Sequence, residues 1–556
     1  MNISKQYRHL LRYRKIAEVL LKNGLGVIVE RLELNKYLPI KTRFKKEETQ
    51  LNKKGLELRL RKVLQELGPT YIKLGQLLST RADLLPPSYV RELRKLQDEV
   101  DPVTFEEIEE VLVDELGEDY LKNFRKIDKQ PQAAASIAQT HRAILNDGTD
   151  VILKIQRPGI EKMVQSDFEI LKNLILGAEE RGYFPEFLKA SSLIDEFRES
   201  LKKELNFKRE VANINKFASN FKDDEKIVVP DVYEDLSSRR LIVMEEIKGI
   251  KLSDIDDVDE LNIDGPTLAV MGAQAFMKQV LIDGFFHADP HPGNIFVKGK
   301  DTLAYIDFGL MGQLTENDKS KMNMLFIALL YQDINIITDL LLDIGEFDQK
   351  IDERKFKLEI QDLMNRYYGI ELADIDFMMV IDDIERILYN FHVRMPEEFF
   401  LLFRAIGVNE GVGFLLDPSF NLVETARDFL KKLIASKLQP SYLLGKMADK
   451  LWNFRSLTKD LPAKFNRLLN DIINDEFTIR FKHINLEQIT NKIDIVSNRI
   501  SISLIISAII IGSSMIIQTD MTPVVYGIPL LGFLGYSIAG IMGLWLVISI
   551  FRSGRF

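Results

Sequence analysis

Asp307 follows Asn294 by 13 residues, and the chain between them has the pattern of a hairpin that returns to its starting end. Ile295-Phe-Val297 reads as a short buried strand, Lys298-Gly-Lys-Asp301 as a turn, and Leu303-Ala-Tyr-Ile306 as the returning strand. Folded in this way, the hairpin sets the Asn294 amide beside the Asp307 carboxylate. Each residue closes or opens a longer motif: His287-Ala-Asp-Pro-His-Pro-Gly-Asn294, with Asp289 five residues before Asn294, and Asp307-Phe-Gly309. Asp-Phe-Gly alone recurs by chance. The two motifs at this separation restrict the chain to a fold that gathers three oxygen-bearing side chains at one place.

Carboxylate and amide oxygens are the hard ligands that Mg2+ accepts. Phosphoryl transfer uses such a metal to neutralise a triphosphate, and a further carboxylate to orient the attacking hydroxyl or water. The spacing therefore predicts Asn294 and Asp307 as metal ligands and Asp289 facing the nucleophile, the arrangement of protein-kinase-like folds. His287 and His291 stand at i and i+4, but Pro290 and Pro292 forbid the helix that a zinc-binding pair would need.

Composition narrows the alternatives. The absence of cysteine removes disulfides, thiolate metal sites and cysteine nucleophiles together, and fits a reducing compartment. A net charge of −9 argues against nucleic acid as the principal partner. The length of 556 residues and 46% hydrophobic content leave room for more than one domain.

The two ends differ from the middle. The first 62 residues hold 17 Lys or Arg against 6 Glu, with Leu10, Leu11, Val19, Leu20 and Leu21 as an apolar side. Such a segment docks on an anionic membrane surface or packs on its own protein, and the pattern does not separate the two. Near the C-terminus, Ile500–Ile517 and Leu530–Phe551 are charge-free runs of 18 and 22 residues, each long enough to cross a bilayer. Lys492 and Arg499 precede the first and Arg552 and Arg555 follow the second, which predicts both ends and the body on the cytoplasmic side. Gly535, Ala539 and Gly543 form a small-residue face for helix contact.

Between these ends, residues 51–130 read as helical, broken at Gly68-Pro69 and Pro86-Pro87. Lys73 and Gln76 share a face of the middle segment, where composition alone makes Lys73 a surface lysine, and Gly75 predicts close approach of another backbone. A β-rich lobe begins near 124, with Val151-Ile-Leu-Lys-Ile155 as a strand whose Lys154 needs a partner or an anionic ligand. Lys154 matches the lysine that kinase-like sites direct at phosphates, and Glu210 is its expected partner. On one continuous helix Glu204 would point about 120° from Glu210 and serve another cation. Glu245-Glu-Ile-Lys-Gly249 reads as the link between lobes, with backbone groups of Glu245 and Ile247 available to an adenine ring. The Ala-Pro-Glu that closes a protein-kinase activation segment does not follow Asp307-Phe-Gly309, which weighs against peptide substrates.

Taken together, these residues resemble the UbiB-type atypical kinases, a bacterial and organellar group associated with isoprenoid quinone biosynthesis. The resemblance covers roughly residues 55 to 440. Lys73-Leu-Gly-Gln76 is similar to that family's KxGQ element, and Ala133, Ala134, Ala135, Ser136, Ile137 and Ala138 to its alanine-rich nucleotide loop. The resemblance implies an α+β, bilobal protein-kinase-like fold with an N-terminal helical KxGQ extension and a C-terminal two-helix transmembrane hairpin. It implies that the extension covers the active site, with Lys73 paired to Glu204 of the family's ExD element. That element here reads Glu204-Leu205-Asn206, so a neutral amide replaces its aspartate. His291 stands where many protein kinases have a lysine.

The expected segments are 1–50 (basic and amphipathic), 51–123 (extension), 124–246 (N-lobe), 247–440 (C-lobe), 441–495 (stalk) and 496–556 (membrane hairpin). The resemblance further implies ATP or ADP with Mg2+ as cofactors, a bacterial inner-membrane location, and quinone-precursor lipids and quinone-biosynthesis proteins as partners. The glycine-lined span could also support a homodimer. Two rivals stay open: a small-molecule kinase of aminoglycoside or choline kinase type, which lacks the Lys73–Gln76 helix, and a nucleotide-binding pseudokinase scaffold.

Overall fold

Gly68 and Pro69 end one helix and start the next, because the glycine takes φ 94° and the proline is preset for a first helical position. A computed structural model describes residues 3–38, 55–81, 83–96, 100–184, 190–255, 263–331, 333–347, 352–367, 377–437, 486–519, 522–525 and 527–552. Most of the expected stalk lies outside them. The chain divides into two units, Met1–Tyr442 and Leu443–Phe556.

The first unit opens with helices α1 (Ile3–Lys22), α2 (Gly26–Arg31), α3 (Leu56–Leu67), α4 (Pro69–Ser79), α5 (Pro87–Leu93) and α6 (Phe105–Leu116). The basic N-terminal helix packs on its own protein: Ile16, Ala17, Val19 and Leu20 are buried, and Arg12 forms a two-pronged ion pair with buried Asp167. Leu10 and Leu11, expected on the same apolar side, are exposed instead. Gly75 in α4 admits neighbouring side chains rather than a backbone, since a Cβ there would collide with Leu96 and Leu64.

An antiparallel sheet follows. It contains β1 (Phe124–Ile127), β2 (Ala133–Ala134), β3 (Ala138–Leu145) and β4 (Asp150–Gln156), and it is completed after helices α7 (Ile160–Glu180), α8 (Ala190–Glu204) and α9 (Phe207–Phe221). The short β5 (Ile227–Val228) joins a different sheet, while β6 (Leu241–Glu245) pairs with β4 to give the order β1-β3-β4-β6, with β2 beside β3. Side chains alternate across a strand, so Val151, Leu153 and Ile155 face the apolar side of α6 while Ile152 joins the cluster holding Val211 and Ile214 of α9. Lys154 shares parity with Ile152, and so falls on the α9 side.

The helix expected to carry both Glu204 and Glu210 is two helices. Asn206 leaves helical geometry at φ −116°, ψ 91°, and the Phe207 amide donates to Arg239 O outside the helix. The 120° argument therefore does not apply.

Beyond β7 (Ile250–Lys251), α10 (Gly265–Lys278) runs into a π-turn at Gln279–Asp283, followed by β8 (Phe285–His287). The predicted hairpin forms as β9 (Ile295–Lys298) and β10 (Thr302–Tyr305), antiparallel with Ile295 opposite Tyr305. After β11 (Met311–Gln313) come α11 (Glu316–Leu330), α12 (Ile334–Ile344), α13 (Glu353–Tyr367), α14 (Phe377–Asn390), α15 (Glu397–Leu416) and α16 (Leu422–Lys437). Helix α15 is long and apolar enough to cross a membrane, yet 67% of it is buried among its neighbours, which makes it a core helix.

The second unit holds α17 (Leu486–Ile517) and α18 (Leu530–Arg552). Ser497–Ile517 and Leu530–Ile550 are long and apolar enough to span a bilayer, with only 11% and 6% buried. Gly535 abuts Ser513, Gly532 would place a Cβ 2.6 Å from Ile517 Cγ1, and Ala539 is buried. The small-residue contact thus runs through Gly532, Gly535 and Ala539; at Gly543 no described atom comes within 4 Å of a Cβ position.

Candidate functional site

Lys154 Nζ lies 2.6 Å from Glu210 Oε1 and 3.2 Å from Asp307 Oδ1, joining strand β4, helix α9 and the turn after β10. Burial works against the Lys154 charge, but Asp307 and Glu210 outweigh it and hold the ammonium above the usual lysine range. Burial pushes Glu210 upward against the pull of Lys154. Burial would raise Asp307 as well, but Lys154 and the Gly309 amide bring it well below the usual carboxylate range. The two acids on Lys154 are thus shifted in opposite directions, Glu210 up by burial and Asp307 down by Lys154 and the Gly309 amide.

His287 links the two motifs. Its Nε2 donates to Asp307 O at 2.5 Å, while its Nδ1 accepts the Asp289 amide at 3.2 Å. Both bonds together require one neutral tautomer. Burial lowers the pKa of this imidazole, which favours that state. Gln279, placed by the π-turn, accepts the His287 amide at 2.9 Å. Asn294 donates through Nδ2 to Asp289 O at 3.4 Å. One carboxylate and one amide oxygen, from Asp307 and Asn294, form a donor set of the kind that fits Mg2+. Among the described residues no cluster of three His, Asp or Glu side chains forms a separate metal site.

Asp289 has a partner that the sequence reading missed. Arg404 Nη2 of α15 lies 2.8 Å from Asp289 Oδ2. A single cation in the apolar run Phe399-Phe-Leu-Leu-Phe-Arg404 was the available signal, because a half-buried charge requires a partner. His291 turns back on its own loop, accepting the Gly293 amide at 3.0 Å.

The alanine-rich segment is a tight hairpin. Ala133 and Ala134 pair with Thr140 and Gln139, and the Ala135 amide donates to Ala138 O at 2.8 Å. Ser136, Ile137 and Ala138 are buried, and Ile137 belongs to the same apolar cluster as Tyr71 of α4. Lys73 of α4 forms an ion pair with Glu204 at the end of α8, while Gln76 stands one turn further on and its carbonyl accepts Ser79 Oγ. Asn206 Oδ1 is buried without a hydrogen-bond partner among the described residues. At the end of β6, the Glu245 amide donates to Asp231 O at 2.8 Å, and Ile247 just beyond it is buried.

Comparison with known proteins adds a second line. Residues 95–341 match the ABC1 atypical kinase-like domain, 360–421 the UbiB helical domain, and 484–552 the ABC1/UbiB kinase-like C-terminal domain. The "Uncharacterized protein in hydrogenase 1 5'region" of Clostridium pasteurianum is 35% identical over 98% of this chain and 99% of its own. The "Probable protein kinase UbiB" of Shewanella baltica strain OS185 is 32% identical over 87% of this chain and 89% of its own. Among solved structures, a Mycobacterium tuberculosis protein in complex with erythromycin aligns at 20% identity and TM-score 0.40, over 61% of this chain and 92% of that one.

Proposed function

The chain belongs to the UbiB/ABC1 atypical kinase family, and on that premise we propose a membrane-anchored, Mg2+-dependent kinase or ATPase that supports isoprenoid quinone biosynthesis. It acts on or presents lipid precursors of the ubiquinone or menaquinone type. The observation that carries this reading is the convergence of Lys154, Glu210 and Asp307, from three separate elements, within 3.2 Å of the Lys154 ammonium.

When bound, Mg2+ supplies the positive charge that offsets the triphosphate. Asn294 and Asp307 would hold it. Lys154, kept cationic between two carboxylates, orients phosphate oxygens, and Asp289 orients the attacking hydroxyl or water. The ion pair of Lys73 with Glu204 keeps the extension against the N-lobe and favours turnover without a docked peptide. The two apolar spans supply the anchor, with the body on the cytoplasmic side of the bacterial membrane.

Purified full-length protein in detergent should hydrolyse ATP in the presence of Mg2+, and Asp307→Asn should reduce turnover at least about a hundredfold. Equal turnover in that variant would remove Asp307 as a metal ligand. A deletion strain should accumulate quinone precursors, and Asp307→Asn should fail to rescue it. Rescue by the variant would replace enzyme with scaffold.

A further inference from the structure

Helix α9 grips the Asp-Phe-Gly turn at more points than the Lys154 partnership requires. Glu210 Oε1 accepts the Phe308 amide at 3.4 Å, Asn213 Nδ2 donates to Phe308 O at 3.0 Å, and the Phe217 ring meets the Phe308 ring edge-on at 5.1 Å. Positions 210, 213 and 217 follow i, i+3, i+7, so one face of one helix supplies all three contacts. Phe308 is fully buried between them and His287.

The Asn213 bond differs from the other two in what it controls. The carbonyl of Phe308 and the N–H of Gly309 belong to the same planar trans peptide and point in opposite directions. That N–H donates to Asp307 Oδ1 at 2.9 Å. Fixing the carbonyl therefore fixes the donor that aims the carboxylate. Loss of the Asn213 bond frees the peptide plane to rotate, and the Asp307 side chain with it.

We infer that Asn213 is a positioning residue for the metal-binding carboxylate, acting through the Phe308–Gly309 peptide. The inference rests on the proposed reading of Asp307 as a metal ligand. It couples the helix that carries the partner of Lys154 to the geometry of the metal site, so that the two are correctly placed together.

The test uses the full-length chain in detergent and measures thermal stabilisation by a non-hydrolysable ATP analogue as Mg2+ is titrated. Asn213→Asp keeps the shape but opposes a carboxylate to the carbonyl, and Asn213→Ala removes the donor. Both should raise the Mg2+ concentration for half-maximal stabilisation about tenfold, as loss of an outer-shell partner does. The melting temperature without ligand should stay within about 2 °C of wild type. A lowered melting temperature with an unchanged Mg2+ midpoint would overturn the inference, because Asn213 would then serve packing alone. Wild-type stabilisation that ignores Mg2+ would overturn the proposed function, and this inference with it. A normal wild-type titration matched by both variants would overturn the inference only.

Discussion

Lys154 can remain charged on a largely buried strand because two acids compensate its desolvation. Its need for a partner was legible from one cation in an apolar run, but the second acid was not, since Asp307 is 153 positions away. His141 shows the opposite balance, a desolvation that its partners do not offset. It is buried, with Nδ1 bonded to Asp128 O at 2.9 Å and Nε2 facing the Gln139 amide nitrogen at 3.0 Å, and desolvation lowers its pKa. The unfolded chain therefore takes up this proton first as pH falls. The contribution to stability is complete above about pH 6.5 and declines below it, by at most about 1.4 kcal/mol per pH unit, until the folded imidazole protonates. Chemical denaturation at pH 5.5 and 7.5 should show a smaller pH dependence in His141→Gln than in wild type.

At the scale of elements, the break between α8 and α9 decides which acid reaches which cation. Glu204 closes one helix and meets Lys73, while Glu210 lies in the first turn of the next and meets Lys154. The sequence reading missed the break because neither glycine nor proline marks it, and buried apolar residues stand on both sides of it at Leu201, Leu205 and Phe207. The N-terminal helices also reach the helices that follow β11. Arg94, just after α5, pairs with Glu385 on α14, an acid whose burial raises its pKa despite that partner. Arg94→Met should cost about 3 kcal/mol, because it leaves a buried carboxylate uncompensated. Adding Glu385→Leu should recover most of the loss. Urea unfolding of both variants measures this, and equal stability of Arg94→Met and wild type would show that the Arg94–Glu385 pair adds nothing to the fold.

For the whole molecule, the buried apolar clusters of the first unit lie within residues 16–430, while the charge-free runs Ile500–Ile517 and Leu530–Phe551 lie in the second unit. A chain ending at residue 442 should fold and move from the membrane to the soluble fraction, as ultracentrifugation of lysates would show. Retention of most of the truncated protein in the membrane fraction would assign anchoring to the body, with Leu10 and Leu11 of α1 as exposed apolar contacts.

Local chemistry alone determined the hairpin between Asn294 and Asp307, the two long apolar runs and the loop that holds Asp289. Each depends on residues adjacent in the chain, where turn preference, strand alternation and run length act directly. Only the tertiary structure decided that Arg404 meets Asp289, that Asn213 holds the Phe308 carbonyl, and that the basic N-terminal helix buries Ile16 and Leu20. Those pairings join elements tens to hundreds of residues apart. Their partners are selected by packing and by the cost of an unpaired buried charge, which no local pattern encodes.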